Sequence, residues 1–114
     1  MTIYLDVERG FSFWPIMIIP KKHRGTVLET PQIAHESDHY NRQGWLVLWW
    51  IFRYFTSKKF RMQEETRAYK AQIAEYAKIL PGRADEYRVL KANSMATLYR
   101  GMCTFDEALA ALKE

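Results

Sequence analysis

The sequence predicts a mainly α protein of α+β character, and three observations carry that expectation. From Gly25 onward the hydrophobic pattern is helical, helix start and stop signals punctuate it, and the strand-like run lies among the first thirty residues. At 114 residues the chain fits a single domain with a real core and leaves no room for a separate substrate domain. Apolar residues at 48% and charged residues at 26% give a globular balance, so the chain is expected to fold.

The first element is the run Phe11-Ser12-Phe13-Trp14-Pro15-Ile16-Met17-Ile18-Ile19-Pro20, aromatic or β-branched in part. Its prolines cannot donate to a central ladder, so Phe11 to Ile19 reads as an edge strand. Thr30-Pro31 then signals a helix from Pro31 to about Asn41, with Thr30 as N-cap and Pro31 where a missing N–H costs nothing. Gly44 ends that helix, and Trp45 to Thr56 forms a second, apolar nearly all round. Its aromatic residues Trp45, Trp49, Trp50, Phe52, Tyr54 and Phe55 are expected to pack in the core. A third helix is expected from Lys59 to Leu80, stopped by Pro81-Gly82, and a fourth from Ala84 to Arg100, ended by Gly101. Thr104-Phe105-Asp106-Glu107 has the form of a capping box, so a short last helix follows.

Charge and cysteine usage narrow the partners. The net charge of +4 is spread among acids, and Lys21-Lys22-His23-Arg24 and Lys58-Lys59-Phe60-Arg61 are short stretches without a nucleic-acid module, so no nucleic-acid partner is expected. Cys103 is the single cysteine, which excludes an intrachain disulfide and makes a reduced, cytoplasmic setting the default expectation. Asp6 and Glu8 stand where a secretory leader would be basic, so none is expected. The most apolar segment, Trp45 to Phe55, is eleven residues long, and crossing a bilayer takes about twenty. That segment with Lys58, Lys59 and Arg61 has the composition of a peripheral membrane anchor, a weaker expectation than core packing.

The residues that carry chemistry are His35-Glu36-Ser37-Asp38-His39, an H-E-x-x-H sequence inside the first expected helix. Residues four apart lie one turn above each other, so both imidazoles can reach one zinc ion. Glu36, one residue round from His35, is placed to act as general base on a water that the metal acidifies. A third ligand is needed, and the downstream pair Glu64-Glu65 supplies candidates in the third helix, where Glu65-Thr66-Arg67-Ala68-Tyr69 has the form E-x-x-A-Y.

With both motifs in this order, residues 11 to 80 resemble the gluzincin metallopeptidases, and the chain is similar in size to the minigluzincins. The resemblance implies a zincin-like arrangement of a short N-terminal edge strand or small sheet, an active-site helix, a glutamate helix and C-terminal helices. It implies Zn2+ held by His35, His39 and Glu65, with Glu64 as the alternative third ligand. It implies hydrolysis of a peptide or protein substrate with Glu36 as catalytic base and later acid, and latency if a terminal segment fills the cleft. Two positions depart from the family pattern: Tyr69 stands where an acid often steadies a ligand histidine, and Ser37 where an apolar residue is common. Tyr54, Tyr69, Tyr87 and His23 are the candidates for steadying an oxyanion, and Cys103 is a candidate fourth ligand. The alternative class is a non-catalytic helical binding or scaffold protein whose zinc is structural or absent.

Overall fold

The computed structural model describes residues 1–99 and 101–114, and the described residues are mainly helical with a small three-stranded sheet. Strands β1 (Thr2–Leu5), β2 (Phe11–Phe13) and β3 (Ile16–Pro20) pair in the order β1-β3-β2. β1 runs parallel to β3, with Thr2 opposite Met17, and β2 runs antiparallel to it, with Phe11 opposite Ile18. The single edge strand expected over Phe11 to Ile19 is therefore two strands around a turn at Trp14 and Pro15. Pro15 has no N–H for a ladder and falls in the turn. β3 becomes the centre of the sheet and β2 its edge.

Helix α1 (Glu29–Gln43) begins two residues before the expected start, and Thr30 is not its cap. Upstream groups fix this end instead: Thr26 Oγ1 accepts from the Leu28 amide at 3.2 Å, and Glu29 Oε2 accepts from the Gly25 amide at 3.2 Å. Pro31 keeps its place in the first turn. At the other end Gly44 takes φ of +50°, which L side chains rarely adopt, and its amide bonds to the Tyr40 carbonyl. Two residues beyond the expected end, Gln43 is buried and ties the helix to the hairpin. Its Nε2 donates to the Ser12 carbonyl at 2.8 Å, and its Oε1 accepts from the Trp14 amide at 2.7 Å.

Helix α2 (Val47–Thr56) contains no buried residue, which overturns the expected core packing of the Trp45 to Thr56 segment. Trp45 is 90% exposed and Trp49 57%. One stripe of α2, Val47, Trp50, Ile51 and Tyr54, is half-buried and covers neighbours, while the opposite stripe meets solvent. Helix α3 (Lys58–Ile79) follows the expected bounds within one residue, its Ser57 side chain accepting from the Phe60 amide. Helix α4 (Ala84–Leu98) ends before the expected Arg100, which lies outside the described residues. Helix α5 (Phe105–Lys113) starts with both bonds of the capping box, Thr104 Oγ1 with the Glu107 amide and Glu107 Oε1 with the Thr104 amide.

The main apolar core lies between α3, α4 and α5, where Ile73, Ala92, Met95, Met102, Ala108 and Leu112 are buried. On its other side α3 packs along α1, and that interface is polar.

Candidate metal centre

Helix α1 stacks His35 and His39 one turn apart with both rings buried, and α3 brings Glu65 against them. Glu65 Oε1 lies 2.8 Å from His39 Nε2, and Glu65 Oε2 lies 3.6 Å from His35 Nε2. The three donor atoms all fall within 4.8 Å of one another. Two imidazoles and a carboxylate are a zinc-type donor set, and ligand atoms sharing a tetrahedral ion at about 2 Å per bond stand roughly 3–3.5 Å apart. Glu65 Oε2 and His39 Nδ1 are buried without a hydrogen-bond partner. The residues fit the metal in type, number and convergence.

The groups behind the three orient them. His35 Nδ1 bonds Gln72 Oε1 at 2.8 Å, and Gln72 Nε2 donates to the Tyr87 hydroxyl at 2.7 Å. Since the Gln72 amide nitrogen faces Tyr87, its oxygen accepts from His35 Nδ1, and Nε2 is the ring atom turned toward Glu65. The Tyr54 hydroxyl donates to Glu65 Oε1 at 3.1 Å. Trp50 lies edge-on to His39, ring centroids 5.5 Å apart, so the half-buried stripe of α2 covers the centre.

Electrostatics follow from this packing. Burial pushes His39 down, but the Glu65 carboxylate beside it wins and raises it to about 9. Burial pushes Glu65 up, but the imidazoles of His39 and His35 hold it below the usual carboxylate range. At 2.8 Å the His39–Glu65 contact is a charge-assisted hydrogen bond, so a proton and a metal ion compete for the same pair.

Glu36 is buried beside the ligands and opens onto the same cleft of about 670 Å³. Ser12 Oγ donates to its carbonyl at 2.6 Å and lies 3.2 Å from its Oε1, and Gln32 Nε2 donates to its Oε2 at 3.1 Å. Burial raises its proton affinity, and the two histidines oppose that. Gly10, at the entry to β2, touches this carboxylate closely: a Cβ there would lie 2.6 Å from the Ile18 carbonyl oxygen and 3.3 Å from Glu36 Oε2.

The other expected residues are distributed unevenly. Glu64 faces Arg42 at 3.2 Å and Arg67 at 3.5 Å and groups with Asp38 and His39, while Glu65 approaches both imidazoles. Tyr54 lines the cleft. Tyr69 packs edge-on against His35, centroids 4.3 Å apart, and its hydroxyl bonds Tyr99 at 2.9 Å, while Gln72 makes the bond to His35 Nδ1. Tyr87 stands behind Gln72, and burial pushes it up to about 12. His23 lines a smaller cavity beyond Glu36. Cys103 packs against the α3-α4-α5 core and joins no ligand group among the described residues, which removes it as a fourth ligand. Helix α5 supplies no cleft wall among the described residues; Leu98, the last residue of α4, and Tyr99 after it do.

Sequence reasoning missed Gln72, Ser12, Gln32 and Tyr99. Gln72 had a signal, since it follows Glu65 by seven residues and so shares its face of α3. Gln32 stands four before Glu36 on α1, a spacing that faces the two together. Ser12 and Tyr99 reach the centre only through tertiary packing. Compared with known protein families, curated proteins and solved structures, the chain matches none.

Proposed function

We propose that the chain is a small zinc-dependent metallopeptidase of gluzincin type, hydrolysing peptide bonds of a peptide or protein substrate. One observation carries this reading: His35, His39 and Glu65 converge at the wall of an open cleft with Glu36 beside them. His35, His39 and Glu65 would hold the zinc, which would supply Lewis acidity toward a water and the scissile carbonyl.

The chain's own groups do the rest. Glu36, steadied by Ser12 and Gln32, takes a proton from the attacking water and passes it to the leaving amine, and its burial favours that proton-carrying role. Gln72 keeps His35 in the ligating tautomer, and Tyr54 holds Glu65 in place. β2 is the edge strand at the cleft, and Gln43 already holds its outward Ser12 carbonyl and the following Trp14 amide, which fixes the hairpin beside Glu36.

Elemental analysis of the purified chain with a peptide-library digest tests the reading. Glu36→Gln keeps its zinc and loses about 10²–10⁴-fold in cleavage rate, whereas His39→Ala loses the zinc itself. Full cleavage by Glu36→Gln overturns the proposal. A second reading, a non-catalytic helical scaffold, is favoured by the 2.8 Å His39–Glu65 contact, which a proton alone accounts for. A chain that folds without metal and cleaves nothing establishes it.

A further inference from the structure

Helix α2 turns two apolar stripes in opposite directions, and the metal centre uses one. Trp50 and Tyr54 cover His39 and Glu65. Leu48, Trp49, Phe52 and Phe55 recur at helical spacing on the other side, with Trp45 and Leu46 just ahead, and all six are exposed. Leu48 and Phe55 are each 73% exposed, and the rings of Trp49 and Phe52 stack at 5.6 Å into a flat apolar plate. A contiguous apolar surface of this kind marks a contact site.

Charge selects the partner. Residues 39 to 63 contain no acid and five basic residues, Arg42, Arg53, Lys58, Lys59 and Arg61. Lys58 and Lys59 are exposed and make no ion pair among the described residues. Protein interfaces are depleted in lysine, whereas tryptophan and leucine beside lysine and arginine are the composition of helices lying in a lipid headgroup layer. Among the described residues no helix is long and apolar enough to cross a membrane, and the stripe on α2 has the make-up of a surface contact.

We infer that the outer stripe of α2, with Trp45 ahead of it and Lys58 and Lys59 behind it, docks the chain on an anionic lipid surface. Phe55 belongs to this stripe and also lines the metal cleft, so docking holds the cleft mouth at the headgroups. The inference does not depend on the metal or on catalysis.

Sedimentation of the full chain with two vesicle types tests it: phosphatidylcholine alone, and phosphatidylcholine with roughly a quarter phosphatidylserine. The chain pellets with the anionic vesicles at about 0.1 M salt, its tryptophan emission shifts to the blue, and partitioning falls about tenfold or more at 0.5 M. Trp49→Glu with Phe52→Glu alters exposed side chains only, so circular dichroism stays unchanged while vesicle binding drops at least about tenfold. Lys58→Glu with Lys59→Glu removes the preference for the anionic vesicles. A folded chain that ignores both vesicle types overturns the inference, as does unchanged binding in the Trp49 and Phe52 variant. A concentration-dependent dimer broken by Trp49→Glu, with no vesicle binding, overturns it in favour of a second copy on this face. Zinc content measured on the same samples keeps the two proposals apart: vesicle binding by a chain that takes up no metal counts against the peptidase alone.

Discussion

Helix α3 serves two neighbours of opposite chemistry. Toward α1 it presents Glu64, Glu65 and Gln72; toward α4 and α5 it presents Ile73, and Tyr76 stacked on Tyr87 at 3.8 Å. The apolar side is held by burial, which has no direction and tolerates small shifts. The polar side is held by oriented bonds, and removing one partner strands a buried charge or dipole. Stability should therefore answer mainly to the α3-α4-α5 side, and ligand binding mainly to the α1-α3 side.

The largest effect is expected in the apolar half. Met95 is fully buried, and Met95→Ala should cost about 2–5 kcal/mol in a urea unfolding titration. Zinc affinity at the proposed site should stay that of the parent in the folded fraction. A large loss of zinc affinity with little loss of stability would break the division between the two sides of α3.

Next comes the orienting group behind His35. Gln72→Leu keeps the bulk but removes the acceptor from His35 Nδ1, and zinc affinity, read by chelator competition, should fall about 10–100-fold. Unchanged affinity would show that the amide orients nothing.

The pH dependence sharpens the same contrast. His39 is raised to about 9, and zinc at the proposed site would need its neutral ring, so binding there would displace a proton. Glu65, held below the usual carboxylate range, is already ionised at neutral pH and adds no slope there. Zinc affinity should thus rise with pH by about tenfold per unit and level off near the upper value. A profile flat from pH 6.5 upward would place the proton elsewhere.

The smallest effect lies farthest from the centre. Thr104→Ala removes the α5 cap and should lower stability by about 1 kcal/mol in a thermal melt, leaving zinc affinity alone.

Local signals explain what the sequence revealed of this fold. The capping box at Thr104, the Pro81-Gly82 stop and the H-E-x-x-H turn are set by residues within four of each other, and each stands as expected. The start of α1 went astray because two local signals compete, and Thr26 with Glu29 prevails over Thr30. The exposure of α2 was illegible for a different reason. An apolar helix reads the same whichever side faces the protein, and only the packing of Trp50 and Tyr54 on the centre decides. For the centre itself, both histidines, Glu36 and Glu65 could be named because two short motifs carry them. Gln43 and Ser12 could not, since their bonds join residues 31 and 24 positions apart in the chain.

Gly10 turns the gap between sheet and helix into a fixed clearance. With the Ile18 carbonyl oxygen, the Gln32 amide and the Glu36 carboxylate all close to where a Cβ would stand, even one methyl group would force β3 away or displace the Glu36 side chain. Position 10 is thus a gauge for the whole entrance: the chain can vary what surrounds it, but the spacing that aims Glu36 is set by a side chain that has no size.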